Sequence, residues 1–272
     1  MLKEGLISVI IPVRRPNISQ LKECIDSVIE QTYSDLEIIL VYHKEPDYDK
    51  KFYDLINSYN DLRIKVQTSS SGISESRNVA IKESQGEYIA FIDADDVCEK
   101  ERFEKQLKFK KEKNCDVVGS WAYNISNDGR IIAKISYPVE HYAIRKKFML
   151  QNMILNPSAL TDKKIFDDIG LYDTNLLGSE DYDIWFRALK NGYTFGNVPE
   201  YLVRLRENPD SLTRGKTWRE QRKTSMKVRN KAVFRYGFRK PRDFFYYILT
   251  PLSYFVSPSL LMKIKRKAGW YQ

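Results

Sequence analysis

The stretch 72–96, GISESRNVAIKESQGEYIAFIDADD, constrains this chain more than any other. It reads as a polar turn, a short helix carrying Arg77 and Asn78, a break at Gly86, and an apolar run from Tyr88 to Ile92. A run that is short, aromatic and β-branched, with Gly on one side and acids on the other, is how a buried strand reads. It empties directly into three carboxylates, Asp93, Asp95 and Asp96. Ligands of open α/β sheets gather at the carboxyl ends of strands, so acids placed there stand where chemistry is done. With only Ala94 between them, Asp93 and Asp95 can turn toward one hard cation. Mg²⁺ or Mn²⁺ held by one or two carboxylates keeps positions open for substrate phosphates. The plainer alternative is that Asp95 or Asp96 caps a helix over 99–109.

Around this stretch, short apolar runs alternate with helical spacings. Residues 6–12 (LISVIIP) form a continuous apolar run suited to a central parallel strand, and 37–41 and 64–66 read as two more. Between them, 19–31 places Leu21, Ile25, Val28 and Ile29 on one face with Ser19 as N-cap, and 50–59 is helical. Strand–helix alternation predicts βαβ units, a parallel sheet and helices on both faces. Further on, 100–112 reads as an amphipathic helix and 116–121 as a strand. Asn127-Asp128-Gly129 is a hairpin turn into 131–136, and 138–155 reads as a helix.

A second informative block runs over 156–192 and contains Gly178-Ser179-Glu180-Asp181-Tyr182-Asp183-Ile184-Trp185. It reads as a helix start, with Ser179 at the N-cap and acids in the first turn, where the helix dipole favours them. Ile184, Trp185, Ala188 and Leu189 form a core-facing stripe, so those acids can project into a cleft.

Taken together, these stretches resemble the family 2 glycosyltransferases, inverting enzymes of the GT-A fold. Glu75-Ser76-Arg77-Asn78 stands where the family has a Gly-x-x-x-Ala-Arg-Asn helix, with Ser76 replacing the usual Ala. The Gly86-Glu87-Tyr88 strand, its Asp93-Ala94-Asp95-Asp96 end, and the runs 8–13 and 27–33 also match. Two departures stand out. After the second strand the family usually places a Val-Asp-Asp-Gly-Ser-x-Asp run whose first acid contacts the nucleotide base. Here the chain reads Val41-Tyr42-His43-Lys44-Glu45-Pro46-Asp47, so no acid follows directly. In 198–213, Arg206 keeps the Arg position of an Arg-x-His, but Asn208 replaces the His.

The resemblance implies an α/β fold of GT-A, Rossmann-like type over 1–213, its mostly parallel sheet flanked by helices. It implies a metal-dependent, hexosyltransferase-type enzyme that moves a sugar from a nucleotide-sugar donor to a saccharide or lipid-linked saccharide acceptor, in cell-surface polysaccharide or lipid-linked glycan synthesis. Asp95 and Asp93 would hold the divalent cation, Mn²⁺ or Mg²⁺. Pro12, Arg77, Asn78, Asp93 and Arg206 would line the donor, and Arg206 and Arg214 would meet its diphosphate. Asp181 would be the general base and Glu180 its neighbour, with Asp183 facing away. The rival reading is a non-catalytic sugar-nucleotide binder or scaffold on the same fold, in which 42–46 marks lost donor binding. A metal-dependent nucleotidyltransferase would need a Gly-rich phosphate loop after the first strand, and 12–16 holds charge but no glycine.

Composition bears on the compartment and the tail. The chain of 272 residues is long enough for a full core, and its start predicts no signal peptide. Cys24, Cys98 and Cys115 are odd in number and widely spaced, which suits a reducing cytoplasm rather than a disulfide framework. Only His43 and His141 are present, so acid–base work falls to carboxylates, and His141 reads as a surface residue. The net charge of +9 is uneven: 214–272 carries 16 Lys and Arg against 2 acids, leaving the rest mildly acidic. Residues 216–235 read as a helix. Within this basic helical extension, 244–262 is free of charge, is interrupted by Pro251 and Pro258, and has cations on both flanks. That pattern suits an interfacial anchor on an anionic membrane, at the inner face, rather than a span. Packing on its own domain or on a homodimer partner is the alternative. No recognition fold for nucleic acid accompanies the cations.

Overall fold

The structure, a computed structural model, describes residues 2–176, 178–207 and 218–251. In chain order its elements are β1 (Lys3–Val13), α1 (Ile18–Ile29), β2 (Leu36–His43), α2 (Pro46–Asn57), β3 (Ile64–Ser69), α3 (Ile73–Glu83) and β4 (Gly86–Phe91). There follow β5 (Val97–Cys98), α4 (Arg102–Lys113), β6 (Val117–Ile125), β7 (Ile131–Ile135), α5 (His141–Lys147) and a 3-10 turn (Asn156–Ser158). The chain continues through β8 (Leu160–Asp162), α6 (Ile165–Ile169), α7 (Glu180–Lys190), β9 (Phe195–Arg206), α8 (Trp218–Phe234) and α9 (Pro241–Leu249).

The strands form one sheet in the order β3-β2-β1-β4-β8-β6-β9-β5, with β7 paired to β6. Its first half, β3-β2-β1-β4, is parallel throughout, as the alternating pattern predicts. The second half is mixed: β8 runs antiparallel to β4 and β6, β5 antiparallel to β9, and only β6 and β9 pair in parallel. Parallel order is therefore the property of the first half rather than of the whole sheet.

Each central strand is buried on both faces, and its residues alternate between two cores. Ile10, Ile39, Val41, Ile89 and Phe91 join the core beneath α3, α6, α7 and α8. Val9, Ile11, Ile38, Leu40 and Ala90 join the core beneath α1 and α2. At the amino end of the sheet a buried carboxylate ties three strands together. Glu37 of β2 accepts from the Ser8 hydroxyl at 2.5 Å, from the Gln85 N–H at 2.6 Å and from Lys65 at 2.6 Å. Burial alone would raise the Glu37 pKa, but these three partners outweigh it and hold the carboxyl below its usual value.

Several local expectations change on inspection. The N-cap of α1 is Asn17, whose Oδ1 accepts from the Ser19 and Gln20 N–H groups, because Ser19 already lies inside the helix. Pro46 opens α2 in its first turn, where a missing N–H costs nothing, so this helix starts earlier than 50. Only 141–147 of the 138–155 stretch is helical. His141 is half-buried there, its Nδ1 accepting from the Phe195 N–H at 3.0 Å, so it is a strand-end partner rather than a free surface group. All three cysteines are free and buried. After β9, α8 lies along α7 and α9 returns toward α5. Among the described residues no helix is long and apolar enough to cross a membrane.

Candidate active site

The acids at the end of β4 divide into two kinds. Asp96 is buried, and its carboxylate accepts from the Arg206 N–H of β9 at 2.8 Å. Its own N–H closes a turn onto the Asp93 carbonyl at 3.0 Å. Burial, then the charges of Asp95 and Asp93, raise its pKa well above the usual range, against the pull of Arg206. Neither Asp95 nor Asp96 caps α4, which starts only at Arg102 and has no side-chain cap bond. Asp93 and Asp95 are half-buried. The Asp95 carboxyl is raised to about 6, by burial first and by the Asp93 charge second.

This pair fits a divalent cation. Two hard oxygen donors sit close enough that the Asp93 charge raises the Asp95 carboxyl, which a bound positive charge would relieve. Among the described residues no group of three or more His, Cys, Asp or Glu is arranged to hold a metal alone. An ion seated on Asp93 and Asp95 would draw its remaining ligands from phosphate oxygens and water, the usual arrangement for Mg²⁺.

Arg77 joins these acids to the second motif. It projects from α3 and is 3 % exposed. Its Nη1 donates to Glu180 at 2.9 Å and its Nη2 to Asp93 at 3.3 Å. Its guanidinium carbon lies 5.5 Å from the centre of the Tyr172 ring. A buried guanidinium requires such compensation, and here two carboxylates 87 positions apart in sequence supply it. Two buried atoms at this junction, Arg77 Nε and Glu180 Oε2, lack a hydrogen-bond partner. Asn78, next on α3, turns aside. Its amide donates to the Tyr172 carbonyl at 2.9 Å and accepts from the Tyr172 N–H at 2.9 Å, pinning the loop that leads into α7.

Asp181 sits in the first turn of α7. Its Oδ2 accepts from the Asn152 amide at 2.9 Å and its Oδ1 from the Tyr182 N–H at 2.8 Å. Burial and the neighbouring Glu180 charge push its carboxyl up to about 7, while Arg77, the Tyr182 N–H and Asn152 oppose the shift. Asp183 points away from this cluster into the body of the protein. It pairs with Arg187 at 2.9 Å and accepts from the Tyr236 hydroxyl at 3.0 Å. Ser179 is not a side-chain cap: its hydroxyl donates instead to the Gln221 carbonyl of α8 at 3.4 Å.

At the ends of β1 and β2, Pro12 is half-buried beside Arg14 and Arg15, which are exposed. The acid missing directly after β2 is followed by one four residues beyond Val41. Glu45 takes Arg14 at 3.1 Å and Arg15 at 2.5 Å, and Arg15 adopts a φ of +46°. Nearby, the Tyr42 hydroxyl donates to Asp49 at 2.7 Å. Arg206 lies at the cluster but is fully engaged by protein. It donates to the Asp95 carbonyl at 2.9 Å, the Asn127 carbonyl at 2.9 Å and Glu23 at 2.6 Å. A diphosphate contact would need one of these bonds to open. Asn208 and Arg214 lie outside the described residues.

The structure thus gathers Arg77, Asp93, Asp95, Glu180 and Asp181 at one end of the sheet, with Arg206 beneath them and Pro12 at the neighbouring strand end. Sequence reasoning missed Asn152, Tyr172 and Glu45. Asn152 and Tyr172 act through partners 29 and 94 positions away and leave no local signal. Glu45 had one, its acid just past β2.

Comparison with known proteins speaks to the family and the fold. The profile of the family described as Glycosyl transferase family 2 matches residues 8–170. The uncharacterized glycosyltransferase MJ1057 of Methanocaldococcus jannaschii is 31% identical over 275 residues, covering 97% of this chain and 93% of its own. The O-antigen biosynthesis glycosyltransferase WbnJ of Escherichia coli is 30% identical over 209 residues, covering 74% of this chain and 79% of its own. Among solved structures, S. aureus TarS 1-349 in complex with UDP-GlcNAc superposes with a TM-score of 0.70 at 17% identity, over 96% of this chain and 76% of that one. The mannosyltransferase PcManGT of Pyrobaculum calidifontis, solved with GDP-Man and Mn²⁺, gives 0.65 at 15% identity, over 92% and 70%. At such identities the structural likeness speaks for the GT-A fold alone. The chain spans 44% of the longer TarS chain.

Proposed function

The chain belongs to glycosyl transferase family 2, and from that premise we propose that it transfers a sugar, with inversion, from a nucleotide-sugar donor to an acceptor hydroxyl. The acceptor is a growing polysaccharide or a lipid-linked saccharide, and the reaction takes place in the cytoplasm. The observation that carries the reading is the convergence on Arg77 of Asp93, at the end of β4, and Glu180, in the first turn of α7.

Asp181 acts as the general base. A carboxyl raised to about 7 is still ionised in part at neutral pH, yet basic enough to take a proton from an attacking hydroxyl. The Asn152 amide and the Tyr182 N–H hold its two oxygens in place. The acceptor oxygen attacks the anomeric carbon from the face opposite the diphosphate, a single displacement that inverts the centre. Glu180 and Arg77 keep the α7 turn against Asp93, Pro12 lies at the neighbouring strand end, and Asn78, spent on the Tyr172 backbone, holds the loop into α7 rather than the donor. A divalent cation held by Asp95 and Asp93 would neutralise charge on the leaving diphosphate. Arg206 positions the acids by binding the Asp95 carbonyl and the Asp96 carboxylate from below.

The test is nucleoside diphosphate release from a panel of nucleotide sugars, with Mn²⁺ or with chelator. One donor should be turned over in a metal-dependent way, and Asp95→Ala should abolish that turnover. With donor and acceptor in hand, Asp181→Asn should lower transfer by about 10²-fold or more while donor binding persists. Full activity in Asp181→Asn would remove the base assignment, and failure of every donor to bind would overturn the reading.

A further inference from the structure

The C-terminal helices carry a surface that the transfer reaction does not use. On α9, Phe244, Phe245, Ile248 and Leu249 are 38, 58, 67 and 38% exposed. Their spacing places them along one side of the helix. Phe234, at the end of α8 and 62% exposed, meets the Tyr247 ring edge-on at 6.2 Å and adds an exposed apolar group where the two helices meet. Arg235, Arg239 and Lys240 are exposed between the two helices. The one acid of α9, Asp243, is turned inward and fully buried against Arg145 and Arg242. The outward side of α9 therefore presents apolar groups and no negative charge.

We propose that this outer face of α8 and α9 docks on an anionic lipid surface, the apolar side chains entering the acyl boundary and Arg235, Arg239 and Lys240 meeting the headgroups. Charge complementarity selects this occupant. The chain beyond α9, residues 252–272, continues with Lys263, Lys265, Arg266 and Lys267 and no acid at all. A second copy fits less well, because a two-fold interface on this face would set the same cations against each other. The face is fixed to the catalytic body: Phe238 packs edge-on against Phe186 at 4.8 Å, and the Arg145 guanidinium lies 3.9 Å from the Phe238 ring centre. From Gln221, which touches Ser179 at the base of α7, to Phe234, α8 spans about 20 Å at its usual rise per residue. The inference goes beyond the transfer reading and does not depend on it.

The experiment is co-sedimentation of the full chain with vesicles of phosphatidylcholine alone or mixed equally with phosphatidylglycerol, beside sedimentation velocity without lipid. Binding to the anionic vesicles alone, weakened by salt, is expected. The double variant Phe245→Ser/Ile248→Ser should lower that binding by about tenfold or more while keeping the wild-type melting temperature. Arg235→Glu/Lys240→Glu leaves the apolar groups intact and should lower it too. Wild type that ignores anionic vesicles, or binds both kinds equally, would overturn the proposal. So would variants that bind like wild type, or a dimer that the Phe245/Ile248 variant dissolves while vesicle binding stays absent.

Discussion

As the proposed general base, Asp181 would be pulled in opposite directions by stability and by catalysis. Its carboxyl is raised to about 7 by burial and by Glu180, so the folded state binds a proton that the unfolded chain has already lost. The sign follows: its contribution is complete below the unfolded value of about 4 and disappears as pH rises through about 7. Asp181→Asn should therefore melt higher than wild type at pH 8 and about equally at pH 4, as scanning calorimetry at the two pH values would show, even though it loses transfer. Activity runs the other way, since the base must be ionised, so kcat should rise with pH around 7. Arg77 separates geometry from charge in this site, because its two Nη atoms reach Glu180 and Asp93 at once. Lysine keeps the charge but not the fork. Arg77→Lys should lower kcat by about tenfold or more through misplacement, with the pH midpoint near its wild-type position. Arg77→Gln also removes a charge that favours ionised Asp181, and should move the midpoint alkaline by about one unit. Equal midpoints in the two variants would show that Arg77 acts on position alone.

At the scale of elements, β1, β2 and β4 were legible in the sequence because both of their faces are buried and each reads as an unbroken apolar run. The β6–β7 hairpin was legible because Gly129 occupies the positive-φ position its turn requires, at +82°. The mixed second half of the sheet was not. β5 and β8 are two and three residues long, and their pairing is decided by long-range partners rather than by periodicity. Ser179 does stand at the N-cap of α7, but its hydroxyl goes to Gln221, 42 positions away, rather than to the helix. Gly86 shows how a break can be read correctly without its cause. A Cβ there would lie 2.5 Å from the Leu6 carbonyl and 2.6 Å from the Ser8 hydroxyl. Its N–H also donates to that hydroxyl and to Glu37. Gly86→Ala must therefore push β4 away from β1 at the strand that delivers Asp93 and Asp95. A loss of about 1–3 kcal/mol is expected, visible as a lower urea midpoint with an unchanged slope. An unchanged midpoint would mean that the strand end yields freely.

At the scale of the molecule, the C-terminal extension is bonded into the catalytic body at separate points along its length. Arg229 of α8 donates to the Met149 and Leu150 carbonyls at 2.9 Å each, and Lys231 reaches Asp173 at 2.8 Å. Val228, Ala232, Val233 and Phe238 join the core that holds α7. The last of these points is different in kind. Asp243 is fully buried, with Arg145 of α5 at 3.3 Å and Arg242 at 3.9 Å. On α9 only Tyr246 and Tyr247 pack against the core while the other apolar side chains are exposed, so this buried carboxylate is a main tie of the helix. Replacing Asp243 with Asn removes the charge and leaves two cations facing each other, with Arg145 only partly reachable by water. The cost should fall on α9 alone, because α8 keeps its own bonds and core contacts. Hydrogen exchange resolves the distinction: amides of 243–249 should exchange about tenfold faster or more in Asp243→Asn, while those of β1 and β2 keep their wild-type rates. Uniformly faster exchange would mean that α9 unfolds only with the whole domain. No change would mean that the buried ion pair is not what secures it.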